Sequence, residues 1–253
     1  ATTHQPAPAI LYLCGHAKEP RFHYQAHPRK LAELGFVVLV PDTTVFGEVK
    51  GVHHGLYREG LWHWISRGFN PGAIEMINAV RGIDYLQSLP EVDATRIGAT
   101  GISGGGGTSW WLGAADSRVQ AIAVVCGTGS NASHILDRTL DGHCDCLIFP
   151  NTLGWDFPDV YALVAPRPVL IAATTHDDVY TLASVRHVYN KLIPVYRALG
   201  AKEALCLVET PGPHAYHSTS RTAIFSFFLR HLFERDVAAD KVGDIDETPE
   251  AQE

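Results

Sequence analysis

The stretch RIGATGISGGG, residues 96–106, decides the fold of this 253-residue chain. Its first five residues, RIGAT, carry one charge, at Arg96, followed by a short run of small and β-branched residues, which predicts a strand. The next five have the pattern G-x-S-x-G, and a helical pattern over residues 104–115 follows at once. A strand, a sharp turn at the serine and a helix together make a nucleophile elbow, which exposes the serine hydroxyl above the sheet edge. Ser103 is therefore the candidate nucleophile.

The glycines at 104–107 also permit a second interpretation, a turn that binds a phosphate. The dinucleotide pattern G-x-G-x-x-G normally follows the first strand of its unit, whereas this stretch follows a later strand. No acidic residue ends a suitable next strand. We therefore favour the nucleophile over the phosphate loop.

Around this motif, short apolar runs alternate with helical patterns, which is typical of a parallel sheet covered by helices. The sequence predicts an α/β fold with about six parallel strands, at residues 9–14, 36–40, 96–100, 121–126, 168–173 and 204–209. The predicted helices lie at residues 27–34, 71–89, 104–115, 182–199 and 218–233.

The partners that a nucleophilic serine needs follow in chain order. In α/β-hydrolase folds the acid comes after a later strand and the histidine comes near the C-terminus. Asp177 and Asp178 follow the predicted strand 168–173, and either can supply the acid. His214 directly follows a Pro-Gly-Pro turn after the last strand, so we favour it over His217 as the base.

Two backbone amides are expected to form the oxyanion hole. The amide of Gly104 lies at a helix N-terminus, where N–H groups and the helix dipole favour negative charge. The second donor should come from the loop after the first strand, where His16 and Ala17 are the candidates. This chemistry requires no cofactor.

The formal charge of -7 is concentrated at one end of the chain. Residues 234–253 carry eight acids and two bases, which leaves 19 acids and 18 bases in residues 1–233. We expect a nearly neutral catalytic domain at 1–233 and an acidic, flexible tail at 234–253. A neutral domain argues against binding to nucleic acid or to a membrane surface.

The compartment stays open: the chain is secreted or periplasmic if Ala1 is a processed N-terminus, and otherwise cytoplasmic.

There are two long insertions: residues 43–70 are rich in Gly, His and Trp, and residues 127–160 carry His-Cys-Asp-Cys and several aromatic residues. Trp62, Trp64 and Trp155 are candidate substrate-binding residues, with ordinary packing of the insertions as the alternative. His53-His54 and His143-Cys144-Asp145-Cys146 invite a metal interpretation. A single Cys-x-Cys matches zinc spacing poorly, so we expect no metal site and assign these residues to loop anchoring.

The chain resembles the acetyl xylan esterase-like, dienelactone hydrolase-related group of α/β-hydrolases over residues 6–232. The resemblance rests on residues 10–17 (ILYLCGHA), 34–42 (LGFVVLVPD), 51–57 (GVHHGLY), 96–106 (RIGATGISGGG), 141–146 (DGHCDC), 165–171 (APRPVLI) and 210–214 (TPGPH). It implies that Asp177 is the triad acid and that the enzyme hydrolyses small acyl esters, with acetylated carbohydrate as the default substrate. Members of this group usually carry an N-terminal β-hairpin that this chain lacks, which predicts an exposed sheet edge and a route to homo-oligomers.

Two other functions remain open on sequence grounds. The same triad serves peptidases and dienelactone-type hydrolases, because the fold does not fix the bond that is cleaved. A catalytically silent binding protein on this fold is the other alternative. The presence of Ser103, Asp177 and His214 in the expected order disfavours the silent protein.

Overall fold

The computed structural model describes residues 5–42, 46–139 and 151–246. The strands in these ranges are β1 (Ala7–Leu13), β2 (Val37–Leu39), β3 (Val92–Ile102), β4 (Val119–Val125), β5 (Val169–His176) and β6 (Leu205–Pro213). The helices are α1 (Pro20–His23), α2 (Ala26–Glu33), α3 (His63–Ser66), α4 (Pro71–Ser88), α5 (Gly104–Ala115), α6 (Asn131–Leu136), α7 (Phe157–Tyr161), α8 (Leu182–Ala198), α9 (Ser218–Phe233) and α10 (Ala239–Val242).

The strands form one parallel sheet in the order β2-β1-β3-β4-β5-β6, which confirms the predicted fold class. Every ladder in the described ranges is parallel, so they contain no antiparallel N-terminal hairpin. The strand order reverses between β1 and β3, and ligands of open α/β sheets bind at such a switch point. The loop after β1 and the turn after β3, which carries Ser103, therefore lie side by side at the carboxyl edge of the sheet.

Alternate residues of each strand enter two separate hydrophobic layers, as the two-residue period of a strand requires. In β1, Ala9, Leu11 and Leu13 pack on one face with α4, α5 and α8. Ile10 and Tyr12 pack on the other face with α2 and α9. The sheet is buried on both sides, which is why its strands read as continuous apolar runs.

The helices that flank the site begin at well-defined caps. The Asn70 side chain accepts hydrogen bonds from the amides of Gly72 and Ala73 and so starts α4. Thr181 caps α8 by accepting from the amide of Ser184. The acid beside the predicted triad residue, Asp178, is exposed three residues before Thr181 and is not the cap of this helix. None of the helices in the described ranges is long and apolar enough to cross a membrane.

Residues 234–246 lie against the body of the protein. The Asp244 carboxylate pairs with the Arg221 guanidinium, and the side chain of Val242 in α10 is buried. The Ser226 hydroxyl of α9 also donates to the Val237 carbonyl, at 2.5 Å. This packing differs from the free tail that the acidic composition predicts, because part of the tail's negative charge is paired with arginines of α9.

Candidate active site

Ser103 occupies the sharp turn between β3 and α5. Its backbone has φ 56° and ψ -122°, a conformation that residues other than glycine rarely adopt. The Ser103 amide donates to the Val125 carbonyl of β4 at 2.9 Å, and its carbonyl accepts from the Gly107 amide. These hydrogen bonds hold the strained turn in place, as a nucleophile elbow requires.

The glycines on either side of Ser103 are required by close approach of the backbone. A Cβ atom at Gly101 or at Gly105 would collide with the Leu13 carbonyl oxygen at the end of β1. Because that oxygen belongs to the sheet, it cannot move aside. The turn is thus pressed directly against the neighbouring strand, which explains the G-x-S-x-G pattern in physical terms.

His214 and Asp177 meet at the ends of β6 and β5. The His214 Nδ1 atom lies 2.9 Å from the Asp177 Oδ2 atom. The other carboxylate oxygen of Asp177 accepts from the amides of Val179 and Tyr180. Asp177 is buried, whereas Asp178 is exposed. The structure therefore brings Asp177, and not Asp178, to His214.

The electrostatics of Asp177 favour its charged form. Burial alone would raise the pKa of the carboxyl. The hydrogen bond and electrostatic attraction of His214, together with the two backbone amides, outweigh burial and hold the pKa of Asp177 below its ordinary value. The Thr174 hydroxyl adds a weaker hydrogen bond to Oδ2 at 3.3 Å. Asp177 is thus a fixed anion at the Nδ1 edge of the His214 ring.

His217, the other histidine of this loop, is engaged elsewhere. Its Nε2 atom lies 3.0 Å from the Pro213 carbonyl oxygen, and its ring covers Gly212. The sequence preference for His214 over His217 therefore agrees with where the two rings lie.

Ser103 and His214 line the same cavity at the carboxyl edge of the sheet. Its volume is about 470 Å³, and its wall comprises His16, His23, Tyr24, Ala26, His27, Ile102, Ser103, His214, Ala215, Tyr216, Arg221 and Ile245. Polar and apolar groups are mixed in this wall. A cavity of this size accepts a small organic ligand.

The two predicted oxyanion donors from the loop after β1 differ in their surroundings. The amide of Ala17 donates to the Gly15 carbonyl at 2.9 Å and so already has an acceptor. The His16 ring lies directly against Gly104, so close that a Cβ atom on Gly104 would overlap the ring. The structure thus brings His16 and Gly104 together beside Ser103.

The three predicted tryptophans do not join Ser103 in this cavity. Trp62 is 58% exposed on the surface. Trp64 packs over Gly55 and against Phe69. Trp155 packs edge-on against Trp111. The His143-Cys144-Asp145-Cys146 segment lies outside the described residues.

Sequence reasoning missed Glu75, a buried carboxylate beside the cavity. Its Oε1 atom lies 3.1 Å from His16 Nε2, and its Oε2 atom accepts from the Thr108 hydroxyl at 3.0 Å. His53 is buried next to it, and burial, with the charges of His16 and His54, lowers the pKa of His53 to about 3. The sequence does contain a signal for Glu75, because it is an acidic residue among the buried positions of α4. A buried carboxylate needs a charged or hydrogen-bonding partner.

Comparison with known protein families decides the family. Residues 20–149, just over half of the chain, match the model described as "Dienelactone hydrolase family". The chain belongs to the dienelactone hydrolase family. This family member is also 26% identical over 249 residues to "Putative hydrolase YtaP" of Bacillus subtilis (strain 168), with 91% of this chain and 80% of YtaP covered. The chain is therefore a hydrolase.

Solved structures with the same fold include esterases. This family member aligns with "Methylesterase BT1017" at 28% identity and a TM-score of 0.71, covering 95% of this chain. It spans only 53% of that protein's length. A glucuronoyl esterase from Solibacter usitatus aligns at 17% identity and a TM-score of 0.67, with 90% of this chain and 74% of that one covered. At that identity the second likeness shows the fold alone.

Proposed function

We propose that this dienelactone hydrolase family member is a serine carboxylesterase that cleaves small acyl esters. The observation that carries the proposal is the 2.9 Å contact between His214 and Asp177. The same His214 lines one cavity together with the strained Ser103. A buried anion that orients an imidazole, in a cavity shared with a half-buried serine, is the arrangement of acyl-transfer enzymes.

In the proposed reaction, the Ser103 hydroxyl oxygen attacks the ester carbonyl carbon. Asp177 holds the proton of His214 on Nδ1, so the Nε2 lone pair is free to accept the serine proton. His214 then returns this proton to the leaving alcohol. Water, deprotonated by the same histidine, hydrolyses the acyl-enzyme and regenerates Ser103.

Negative charge develops on the carbonyl oxygen during both steps. The amide of Gly104, at the N-terminus of α5, is one proposed donor to that oxygen. The amide of His16 is the other, because the Ala17 amide already donates to Gly15. Each donor of this kind contributes about 10²–10³-fold to the rate in well-studied hydrolases.

The proposed substrates are short-chain acyl esters, with acetyl groups on carbohydrate such as xylan as the natural candidate. The cavity of about 470 Å³ accommodates a small acyl group and part of an alcohol. The 28% identity to a methylesterase favours a second candidate, methyl esters of a larger acid. In that case the small group leaves as methanol, and the larger acid remains on Ser103.

The test uses purified wild-type protein, the nucleophile variant Ser103→Ala and the matched pair His214→Ala and His217→Ala. A fluorophosphonate probe should label wild-type protein at one equivalent and should not label Ser103→Ala. We expect Ser103→Ala and His214→Ala to lower kcat/KM for p-nitrophenyl acetate by about 10⁴-fold or more, whereas His217→Ala stays near wild type. Circular dichroism and the thermal midpoint check that each variant is folded.

Substrate panels then separate the candidates. Acetylated xylan against methyl-esterified uronic acids distinguishes the two esters, and peptide and dienelactone substrates test other uses of the triad. Ester turnover that persists in Ser103→Ala, or wild-type protein that neither reacts with the probe nor cleaves any ester, would refute the proposed function.

A further inference from the structure

Three metal-ligating side chains from distant parts of the chain converge beside the nucleophile helix. His16 follows β1, His53 lies in the connection between β2 and α3, and Glu75 is on α4. One ligand atom from each lies within 4.8 Å of the others. The closest pairs are His16 Nε2 to Glu75 Oε1 at 3.1 Å and His53 Nδ1 to Glu75 Oε1 at 4.0 Å.

His53 is unusual among these residues. Its side chain is only 6% exposed, and neither Nδ1 nor Nε2 has a hydrogen-bond partner among the described residues. A buried polar group without a partner costs about 1–3 kcal/mol, so native proteins keep few of them. The ring is held by edge contacts with His16 and Phe46, at centroid distances of 4.3 and 4.9 Å. These contacts pack the His53 ring but leave its Nδ1 and Nε2 atoms without a hydrogen bond from the described residues.

We propose that His16, His53 and Glu75 bind a divalent transition-metal ion, with zinc as the best-matched element. Two imidazole nitrogens and one carboxylate oxygen are a ligand set that zinc accepts in proteins. Zinc–ligand bonds of 2.0–2.2 Å place tetrahedral ligand atoms about 3.3 Å apart. The distances from Glu75 Oε1 to His16 Nε2, 3.1 Å, and to His53 Nδ1, 4.0 Å, lie on either side of this value. A small rotation of the His53 ring would therefore bring the three ligand atoms to the spacing that zinc requires.

The surroundings of Glu75 resemble the outer shell of a metal site. Thr108 donates to Glu75 Oε2 and also contacts the Gly104 carbonyl at 3.0 Å. Hydrogen bonds of this type orient a ligating carboxylate. Phe46 stacks on the His16 ring at 5.2 Å and shields the group from water.

The metal would act as a structural brace rather than as a reactant. It would join the loop after β1 to α4, and through Thr108 to α5, which begins at the nucleophile. The backbone amide of His16, a proposed oxyanion donor, lies on the braced loop. Metal binding should therefore order this loop and stabilise the folded protein, since a ligand of the native state shifts the unfolding equilibrium.

A second cluster in the described residues must be kept apart in any test. Cys126, Asp177 and His214 also lie within 4.8 Å of one another. Asp177 and His214 are already paired in the proposed triad, and burial raises the pKa of the Cys126 thiol to about 12. The His214→Ala variant removes this second cluster without touching the first.

The experiment measures metal binding directly, without substrate. Chelator-treated full-length protein is titrated with ZnCl₂ by calorimetry and with CoCl₂ by visible absorption. We expect one equivalent of zinc to bind and a tetrahedral cobalt spectrum to appear, both retained in His214→Ala. His53→Ala and Glu75→Gln should weaken binding by at least about tenfold. His54→Ala, at the neighbouring position, is the matched control and should bind as wild type does.

Thermal unfolding with and without zinc provides the second readout. The midpoint should rise with zinc in wild type and in His54→Ala, but not in His53→Ala. If chelator-treated wild type binds no zinc, or if His53→Ala binds as tightly as wild type, the proposal is wrong. Binding that disappears in His214→Ala instead would move the ion to the other cluster and would equally overturn it. Should Glu75→Gln fail to fold, the His53→Ala and His54→Ala pair still decides.

Discussion

The Asp244 carboxylate accepts two hydrogen bonds from the Arg221 guanidinium, both at 2.6 Å, and ties the C-terminal segment to the wall of the active-site cavity. Arg221 also donates to the Tyr216 carbonyl, in the loop that carries His214. Arg221 is buried, so this two-point contact fixes a charge that has little access to water.

This contact predicts that part of the tail is structural. Asp244→Ala should lower the free energy of unfolding by about 2–4 kcal/mol, because it leaves a buried guanidinium without its carboxylate. Deletion of residues 236–253 should do the same and also reduce ester turnover. Urea denaturation and p-nitrophenyl acetate hydrolysis measure both effects. Deletion of residues 247–253 is the control; equal stability of the two truncations would show that the ion pair contributes nothing.

A second prediction separates the two neighbouring acids. Asp177→Asn should lower kcat/KM for p-nitrophenyl acetate by about 10³–10⁴-fold, because an amide no longer holds His214 in the required tautomer. Asp178→Asn should remain within a few-fold of wild type, since that side chain is exposed. The same assay at pH 8 compares both variants. A large loss in Asp178→Asn with little effect in Asp177→Asn would contradict the assignment.

A third prediction concerns the glycines after the nucleophile. Gly105→Ala should prevent soluble expression or destabilise the protein by several kcal/mol, because the new methyl group meets the Leu13 carbonyl. Gly107→Ala is the matched control, since its Cβ would lie 3.9 Å from the Gly127 carbonyl oxygen, an ordinary van der Waals contact. Replacing glycine within a helix favours folding by up to about 1 kcal/mol. Thermal midpoints of the two variants test this difference, and equal midpoints would contradict it.

A fourth prediction links stability to pH through His27. Burial, followed by the charge of Arg221, lowers the pKa of His27 to about 3, and its Nδ1 contacts the Tyr12 hydroxyl at 2.7 Å. The unfolded chain protonates this residue near pH 6.5, so between pH 6.5 and 3 it binds more protons than the folded chain. Stability contributed by neutral His27 is therefore complete above pH 6.5 and is lost as the pH falls.

The loss is measurable between pH 7.5 and 5.5. Over this interval the single histidine should contribute a decrease of about 1.4 kcal/mol in the free energy of unfolding. His27→Gln retains a group that can accept from Tyr12 but has no titration, so its decrease should be smaller by that amount. Urea denaturation of both proteins at the two pH values provides the comparison. Parallel decreases would show that His27 does not titrate as expected.

The sequence by itself determined the order of the strands and helices along the chain and the position of the nucleophile elbow. Strand and helix periods are local properties, and the G-x-S-x-G turn needs glycines wherever a strand enters a helix at this angle. For that reason the predicted helices at 104–115 and 218–233 coincide with α5 and α9. The loops that carry His16, Asp177 and His214 could be placed at one sheet edge, because parallel strands end together.

Only the tertiary structure decided which side chains meet at that edge. Asp177 and Asp178 are equivalent in pattern, and a turn closed by the amides of Val179 and Tyr180 directs one of them toward His214. Glu75 meets His16 across 59 residues of sequence, and Asp244 meets Arg221 across 23. Such contacts depend on loop conformation and on how helices pack against the sheet. No local period encodes them, because each is the sum of many weak interactions between distant segments.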